Sequence, residues 1–185
     1  MSDITKRALE QSLKNLLLKK SLNKITINDI TEDCGISRMT FYYHFKDIYD
    51  LVEWSLLEDA SKALAGKKTY NTWQDGLLNI FNMVLKNKPF ITNVYISIGR
   101  EKVEQYLHNI TYDLLVDVVN EQARNMNVLE KDKDYIANFY KYGFVGIMLD
   151  WVKSGMKEDP EIMVSNLNIL IQGSIHSALE RFKIS

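Results

Sequence analysis

The sequence contains few of the residues that interrupt helices or cross-link a chain. It has eight glycines and two prolines among 185 residues. Because these two residue types are the strongest helix breakers, their scarcity favours an all-α protein. The single cysteine, Cys34, excludes an internal disulfide and fits a reducing compartment. No apolar run is long enough to span a bilayer and no signal peptide is recognisable, so we expect a cytoplasmic protein without a membrane partner.

An excess of positive charge is also absent. The formal net charge is −1, whereas a nonspecific nucleic-acid binder is normally basic. Basic residues are nevertheless concentrated near the end of the first predicted helix, at Lys14, Lys19, Lys20 and Lys24. Any binding to DNA must therefore depend on the local placement of basic side chains, and we expect it to depend strongly on salt.

Residue patterns typical of catalysis or metal binding are missing. His44, His108 and His176 are isolated in the sequence, and Cys34 has no nearby histidine. There is no glycine-rich phosphate loop, no Ser/His/Asp set and no CxxC or HExxH spacing. We expect no catalytic residue, no metal site and no cofactor. An enzyme is the weakest of three hypotheses, behind a DNA-binding regulator and a helical protein-interaction module that has lost DNA binding.

The apolar residues recur every three to four positions along most of the chain, which predicts helices. The expected helical segments are 4–21, 26–34, 38–45, 48–64, 73–85, 89–98, 101–126, 134–153 and 160–183. The last one begins at Asp159 and Pro160, an N-cap followed by proline at the first helical position. The glycine and lysines at 66–68 mark the expected break between the N-terminal part and the remaining helices.

Residues 26–46 have the pattern of a helix-turn-helix. Thr26 and Asp29 match a variant of the capping box at the start of the first helix. Gly35 ends that helix, because glycine adopts the left-handed backbone of a helix C-terminus without strain. Ser37 is a good N-cap for the second helix.

The second helix has an anchoring face and an outward face. Phe41 and Phe45 are four residues apart, so both are expected to face the core. Polar and aromatic residues remain for the outside, and Arg38 and Thr40 are near the end that enters a major groove first. For Tyr42 and Tyr43 the alternative is that either ring covers a neighbouring helix.

This stretch, with its Thr-Ile-Asn-Asp-Ile start, Gly-Ile-Ser-Arg-Met-Thr-Phe-Tyr-Tyr turn and His-Phe-Lys close, resembles the DNA-binding signature of the TetR family of bacterial transcriptional regulators. The resemblance covers roughly residues 5–52. It implies an N-terminal three-helix DNA-binding domain at 1–47 and a regulatory and dimerisation domain at 48–185. It also implies a homodimer that binds a palindromic operator in double-stranded DNA.

The resemblance further implies which residues contact DNA. Backbone contacts are expected from Thr26, Tyr42, His44 and Lys46. Residues in or beside the groove are expected to be Ser37, Arg38, Met39, Thr40 and Tyr43. Met39 departs from the small residue often found at that position in the family, which leaves either contact with a thymine methyl group or a plain surface role.

The end of the chain suggests a dimer interface. The last predicted helix carries an apolar stripe over about five turns, and the preceding one has two glycines that permit close helix approach. The TetR resemblance implies that two such helices of each chain form a four-helix bundle. The alternative is that these stripes face only the core of one chain. The expected interface residues are Gly143, Gly146, Leu167, Ile171, Ile175, Leu179 and Phe182.

A regulatory ligand site is indicated only weakly. The helix at 134–153 is rich in aromatic residues, and aromatic residues at helical spacing belong to a core more often than to a ligand site. The candidate ligand-binding residues are Tyr106, Tyr112, Phe139 and Tyr140. Residues 151–161 also resemble a region of the dihydroxyacetone kinase operon regulators, a TetR subgroup. Control by a small-molecule effector and control by a co-regulator protein both remain open.

Overall fold

The computed structural model describes residues 2–184, which fold as α-helices joined by short turns. Within that range there is no β-strand, which confirms the predicted all-α fold class. No helix in residues 2–184 has both the length and the apolar composition needed to cross a membrane. The helices are α1 Ser2–Leu17, α2 Ile27–Cys34, α3 Arg38–His44, α4 Ile48–Leu64, α5 Trp73–Lys86, α6 Lys88–Ile98, α7 Arg100–Gln122, α8 Glu130–Lys153, α9 Pro160–Ile171 and α10 Ser174–Phe182.

The backbone forms two compact units. The first comprises the residues through Asp59 together with Asn87–Val103, and the second comprises Ala60–Lys86 and the residues from Glu104 onward. The first unit therefore contains most of α4 and all of α6 in addition to the helix-turn-helix. A functional boundary between residues 47 and 48 stays a prediction, since compactness and function need not divide a chain at the same place.

The first unit is built on the apolar faces of α1, α2, α3 and α4. Leu13, Ile30, Phe41 and Leu51 are completely buried there. Helix α1 ends at Leu17, earlier than the predicted residue 21, and a 3-10 turn follows at Leu22–Lys24. The amide of Asn93 on α6 donates to the Leu17 carbonyl at 3.2 Å, so a side chain satisfies one of the free carbonyls at this helix end.

A polar network joins α1 to α4 inside the first unit. The buried carboxylate of Glu10 accepts hydrogen bonds from Ser55 Oγ at 2.6 Å, Lys14 Nζ at 2.9 Å and Arg7 at 3.0 Å. Lys14 also pairs with Asp59 at 2.7 Å, and Arg7 pairs with Glu58. Burial opposes ionisation of Glu10, but the donated hydrogen bonds outweigh it and lower the pKa of the carboxyl.

The second unit has an aromatic core between α5 and α8. The rings of Phe81 and Trp151 meet edge to face at 5.1 Å, and Trp73 packs against Phe144 at 5.9 Å. The Trp151 indole nitrogen donates to the Glu158 carbonyl at 2.9 Å. This bond fixes the turn that leads into α9, whose first amide at Glu161 is capped by Asp159 as predicted.

The prediction of one continuous helix over 160–183 is wrong. The helix is interrupted after Ile171, which gives the two helices α9 and α10. Gly173, at the interruption, has a φ of +73°. This left-handed backbone is open to glycine at little cost but ends an α-helix. The apolar periodicity continues through the break, and this continuity concealed the break from a reading of the sequence.

Candidate nucleic-acid interface

The turn between α2 and α3 has the expected backbone geometry. Gly35 has a φ of +67°, and its N–H bonds back to the carbonyl of Glu32. The Ser37 side chain accepts a hydrogen bond from the Thr40 N–H at 3.1 Å, which confirms it as the N-cap of α3. The two hydroxyls of Ser37 and Thr40 also lie 2.9 Å apart and bond to each other.

Helix α3 buries one face and exposes the other. Phe41 is completely buried and Phe45 nearly so, whereas Met39 and Tyr43 are each 82% exposed. Arg38 and Tyr42 are also exposed, and Thr40 and His44 are half-buried. Tyr43 therefore does not cover a neighbouring helix, and its only ring contact among the described residues is with the adjacent His44, at 4.9 Å.

The capping box at the start of α2 is confirmed in full. The carboxylate of Asp29 accepts from the Thr26 N–H at 2.6 Å, and the Asp29 N–H donates to Thr26 Oγ1 at 3.1 Å. Lys20, a partner that the sequence pattern did not indicate, bridges to the same carboxylate at 2.8 Å. The Lys20 ammonium and the bonds from Thr26 hold the pKa of Asp29 at about 2.

The start of α4 places Lys46 beside a helix N-terminus. Lys46 is exposed, and its backbone N–H donates to the carboxylate of Asp50 at 2.8 Å. The Asp50 N–H donates in turn to Asp47 at 2.9 Å. The carboxylate of Asp47 therefore occupies one amide of the helix start, and the exposed Lys46 lies just before that helix, where its ammonium can attract a phosphate.

Six basic residues of the first unit fall into two groups. Lys14 and Lys20 form ion pairs within the first unit. Lys19, Lys24, Arg38 and Lys46 are exposed, and none of them has an acidic partner within residues 2–184. The second group is therefore the cationic surface available to DNA phosphates in this part of the chain.

The predicted dimer residues occupy two environments. Four of them, Leu167, Ile171, Ile175 and Leu179, are buried in the core of the single chain, which corrects their assignment to an interface. Phe182 is partly exposed and packs against Tyr135 at 6.4 Å. A side chain added at Gly143 or Gly146 would meet nothing within 4 Å, so the α8 surface there is open.

Exposed apolar side chains that the sequence analysis did not select lie on α8 and α9, and together they are called the exposed stripe. Within the second unit, large apolar side chains of α8 and α9 are exposed to solvent although they recur at helical spacing. The helical periodicity contained this signal, at positions other than those that we predicted. The stripe comprises Tyr135, Phe139, Tyr142, Ile147, Ile162, Ile169 and Leu170.

The four candidate ligand residues lie in different environments. Tyr106 is buried, Phe139 is exposed, Tyr112 donates to Asp134, and Tyr140 donates to Ser174 Oγ at 2.8 Å. The apolar cavity of the second unit, which Leu77, Ile110 and Phe144 help to line, has a volume of only about 20 Å³. That is space for roughly one water molecule. The ligand-binding role of the four residues stays a prediction.

Comparison with known proteins links both units to one family. Residues 13–53 match the family described as "Bacterial regulatory proteins, tetR family", and residues 71–173 match the one described as "Transcriptional regulator C-terminal region". The second match alone covers more than half of the 185 residues.

Individual relatives agree with this result. The HTH-type dhaKLM operon transcriptional activator DhaS of Lactococcus lactis subsp. lactis (strain IL1403) is 23% identical over 75% of this chain and 74% of its own length. An uncharacterized HTH-type transcriptional regulator, YerO of Bacillus subtilis (strain 168), is 23% identical over 97% of this chain and 68% of its own length.

Solved structures share the fold. That of the dihydroxyacetone kinase operon activator DhaS has a TM-score of 0.74 at 20% identity, covering 98% of this chain and 99% of that one. That of NalD, the secondary repressor of the MexAB-OprM multidrug efflux pump in Pseudomonas aeruginosa, has a TM-score of 0.60 at 15% identity, covering 96% of each chain. With both family regions matched and the helix-turn-helix geometry complete, the chain belongs to the TetR family of DNA-binding transcriptional regulators.

Proposed function

We propose that this protein regulates transcription as a homodimer on a palindromic operator, and that its second unit controls this binding in response to an effector. The observation that supports this most directly is the outward face of α3. Arg38, Met39 and Tyr43 are exposed there while Phe41 and Phe45 anchor the helix from behind. Such a surface fits a recognition helix that enters the major groove with its N-terminal residues.

The outward side chains divide by chemistry into two kinds of contact. Arg38 has a guanidinium suited to the O6 and N7 acceptors of guanine, and Met39 offers an apolar surface for a thymine methyl group. Ser37 and Thr40, whose hydroxyls bond to each other, would lie at the groove edge. The other four residues would hold phosphates, which positions the helix without reading sequence: Thr26, Tyr42, His44 and Lys46.

The exposed stripe on α8 and α9 supports the dimer. Large apolar side chains left in water at helical spacing are typical of a protein contact surface. Gly143 and Gly146 lie next to this stripe with open space above them, so a helix of a second copy can approach closely. In this proposal the interface uses the exposed stripe together with Gly143, Gly146 and Phe182, and it leaves the buried residues of α9 and α10 in the core.

The relatives include both an activator and a repressor of transcription. DhaS is named as an activator of the dhaKLM operon and NalD as a repressor of an efflux pump. Both names support regulation of transcription, but one protein activates transcription and the other represses it. For this chain we propose either a small-molecule effector or a co-regulator protein that binds the second unit.

The proposal is tested by selecting DNA sequences from a random pool with the purified protein. We expect a two-fold symmetric consensus whose half-sites are separated by about one helical turn. Sedimentation of the complex should give two chains per operator. A selected pool without any consensus would instead favour the alternative of an interaction module that has lost DNA binding.

A further inference from the structure

A cleft between α5 and α9 of the second unit has a lining without any charged side chain. It has a volume of about 200 Å³. Since liquid water takes up about 30 Å³ per molecule, the cleft has room for a compound of roughly three to six carbon atoms. Its lining residues are Tyr70, Asn71, Trp73, Gln74, Asn168, Ile171 and Gln172.

The amide side chains of this cleft have unused hydrogen-bonding groups. The Gln74 amide nitrogen donates to Asn168 Oδ1, which links α5 to α9 across the cleft. That bond leaves the Asn168 amide nitrogen and the Gln74 amide oxygen without a partner among the described residues. Asn71 and Gln172 add further amide donors and acceptors at the cleft edge. Paired donors and acceptors of this kind complement hydroxyl groups, which also donate and accept.

The indole of Trp73 gives a second and independent indication of a ligand. Trp73 is only 4% exposed, and its ring N–H has no acceptor among residues 2–184. Buried tryptophan N–H groups usually find a partner, as that of Trp151 does with the Glu158 carbonyl. Among the described residues only His108 Nδ1 is both fully enclosed and unpartnered, so the Trp73 nitrogen keeps access to solvent. Since Trp73 lines the cleft, we assign this donor to a ligand in the cleft.

The same residues argue against other ligand classes. An ionic compound would find no opposite charge on the lining residues. The indole of Trp73 offers no free ring face to a flat aromatic compound, because Trp73 is buried and packs against Phe144 at 5.9 Å. A small uncharged molecule with several hydroxyl groups satisfies the available donors and acceptors within the volume.

We propose that this cleft binds a small uncharged polyol or monosaccharide, and that this molecule is the effector of the second unit. The second part rests on the proposed effector control, whereas the first part does not. Gln172 caps α9 directly before the break at Gly173. A ligand that bonds to Gln172 therefore fixes the geometry between α9 and α10, and α9 also carries part of the exposed stripe.

The binding test uses the full-length protein without DNA. Glycerol, erythritol and glucose are the neutral probes, glycerate and glucose 6-phosphate the charged ones, and titrations followed by saturation-transfer NMR give affinities. We expect saturable binding of at least one neutral probe and weaker or no binding of the charged probes. The cleft assignment is overturned if no neutral probe binds saturably, or if the charged probes bind as tightly.

Two variants locate the bound probe. Trp73→Phe removes the indole N–H and keeps a ring, and Asn168→Leu removes the half-buried amide. Each should weaken binding about three- to tenfold, the effect of one lost hydrogen bond between uncharged groups. The matched control is Asn82→Leu, an exposed position on α5 outside the cleft, which should bind as the wild type does. Should either variant unfold at a lower temperature than the wild type, a variant at an exposed position, Gln172→Ala, replaces it. Wild-type affinity in the cleft variants would overturn the assignment.

Operator affinity is measured separately, with and without a saturating neutral probe. A changed affinity in the wild type that is lost in Asn168→Leu supports the effector assignment. Binding in the cleft with unchanged operator affinity keeps the site and overturns its role as the effector site. Intact operator binding without any probe binding overturns the cleft and leaves the proposed regulation standing.

Discussion

Different side chains of α3 serve DNA recognition and the packing of the helix against the core. Arg38 is exposed at the N-terminal end of the helix and makes no ion pair with any described residue, so its guanidinium is free to meet a base edge. Phe41, three residues on, is completely buried and holds the helix in place. Mutation of Arg38 should therefore affect DNA recognition alone, while mutation of Phe41 should affect folding.

We predict that Arg38→Ala weakens specific operator binding by about 1 to 3 kcal/mol and relaxes selectivity at one base pair of each half-site. Thermal stability should stay close to that of the wild type, because no buried contact is removed. Binding to wild-type and single-mismatch operators measures both quantities. Arg124→Ala, exposed and outside the helix-turn-helix, is the control with unchanged affinity. Equal affinity of Arg38→Ala for the wild-type operator would show that Arg38 reads no base.

The exposed ammonium of Lys46 should act on phosphates. Lys46→Ala is expected to weaken specific and nonspecific binding alike, and to reduce the slope of log affinity against log salt by about one per half-site. The control Lys62→Ala removes an exposed lysine in the second unit and should leave the slope unchanged. A loss of affinity confined to one base position would mean that Lys46 reads sequence.

The carboxyl of Asp29 should titrate far below its ordinary value. The Lys20 ammonium and the Thr26 bonds lower its pKa from 3.8 to about 2. A lowered pKa stabilises the fold above 3.8, and this contribution disappears as the pH falls towards 2. The stability difference between wild type and Asp29→Asn should therefore close across that window. Urea unfolding at several pH values and an NMR titration of Asp29 measure it, and an NMR pKa near 3.8 would contradict the capping geometry.

At the scale of single residues, the sequence predicted the caps and the anchors well. Local hydrogen bonds by Thr26, Asp29 and Ser37 depend on residues three positions away, so spacing in the chain is enough to find them. Lys20 was missed as the partner of Asp29 because their contact spans the turn at 22–24. Only the folded chain brings the two together.

At the scale of elements, the pairing of α1 with α4 rests on the buried Glu10 carboxylate. Glu10→Ala would leave Lys14, Arg7 and Ser55 without their shared acceptor, and breaking a buried charged network is costly. We expect a loss of about 1 to 3 kcal/mol of unfolding free energy. Chemical denaturation measures it, with the exposed neighbour Gln11→Ala as the control, for which a change under about 0.5 kcal/mol is expected.

A loss in Glu10→Ala as small as that of the control would show that the network contributes little to stability. The two variants differ by one position on the same helix, so a difference in helix propensity cannot account for a large gap between them. The comparison therefore isolates the buried acceptor from the helix that carries it.

Helix boundaries were predicted unevenly. Helix α4 begins at Ile48 and ends at Leu64 as predicted, whereas α7 ends at Gln122 and not near 126, and α8 begins at Glu130 and not at 134. The break between α9 and α10 was missed because a glycine inside an apolar repeat is compatible with a continuous helix. Ile171 and Ile175, on the two sides of Gly173, are both buried, so the apolar pattern runs on although the backbone at Gly173 is left-handed.

At the scale of the whole molecule, the sequence could not tell a core stripe from an interface stripe. The helices α8 and α9 are apolar on two sides, and periodicity assigns no side to the chain's own core. The burial of each residue shows which side faces the core, since Leu167 and Ile171 are buried while Ile169 and Leu170 are exposed. The DNA-binding unit, by contrast, was recognisable because its function requires fixed residue types at fixed spacing.

Operator binding by this chain should require a dimer through the exposed stripe, because a palindrome presents two half-sites about 34 Å apart. Phe139 on α8 and Leu170 on α9 are 68% and 74% exposed, so replacing both with glutamate disturbs no core contact. In a dimer, however, both charges would be buried without partners, which is costly. We predict a folded monomer with greatly reduced operator affinity, measured by sedimentation, circular dichroism and operator titration. Ile96→Glu, 75% exposed in the first unit, is the matched control that should remain dimeric. A double variant that stays dimeric would place the interface elsewhere, and a monomer with full operator affinity would remove the need for two copies.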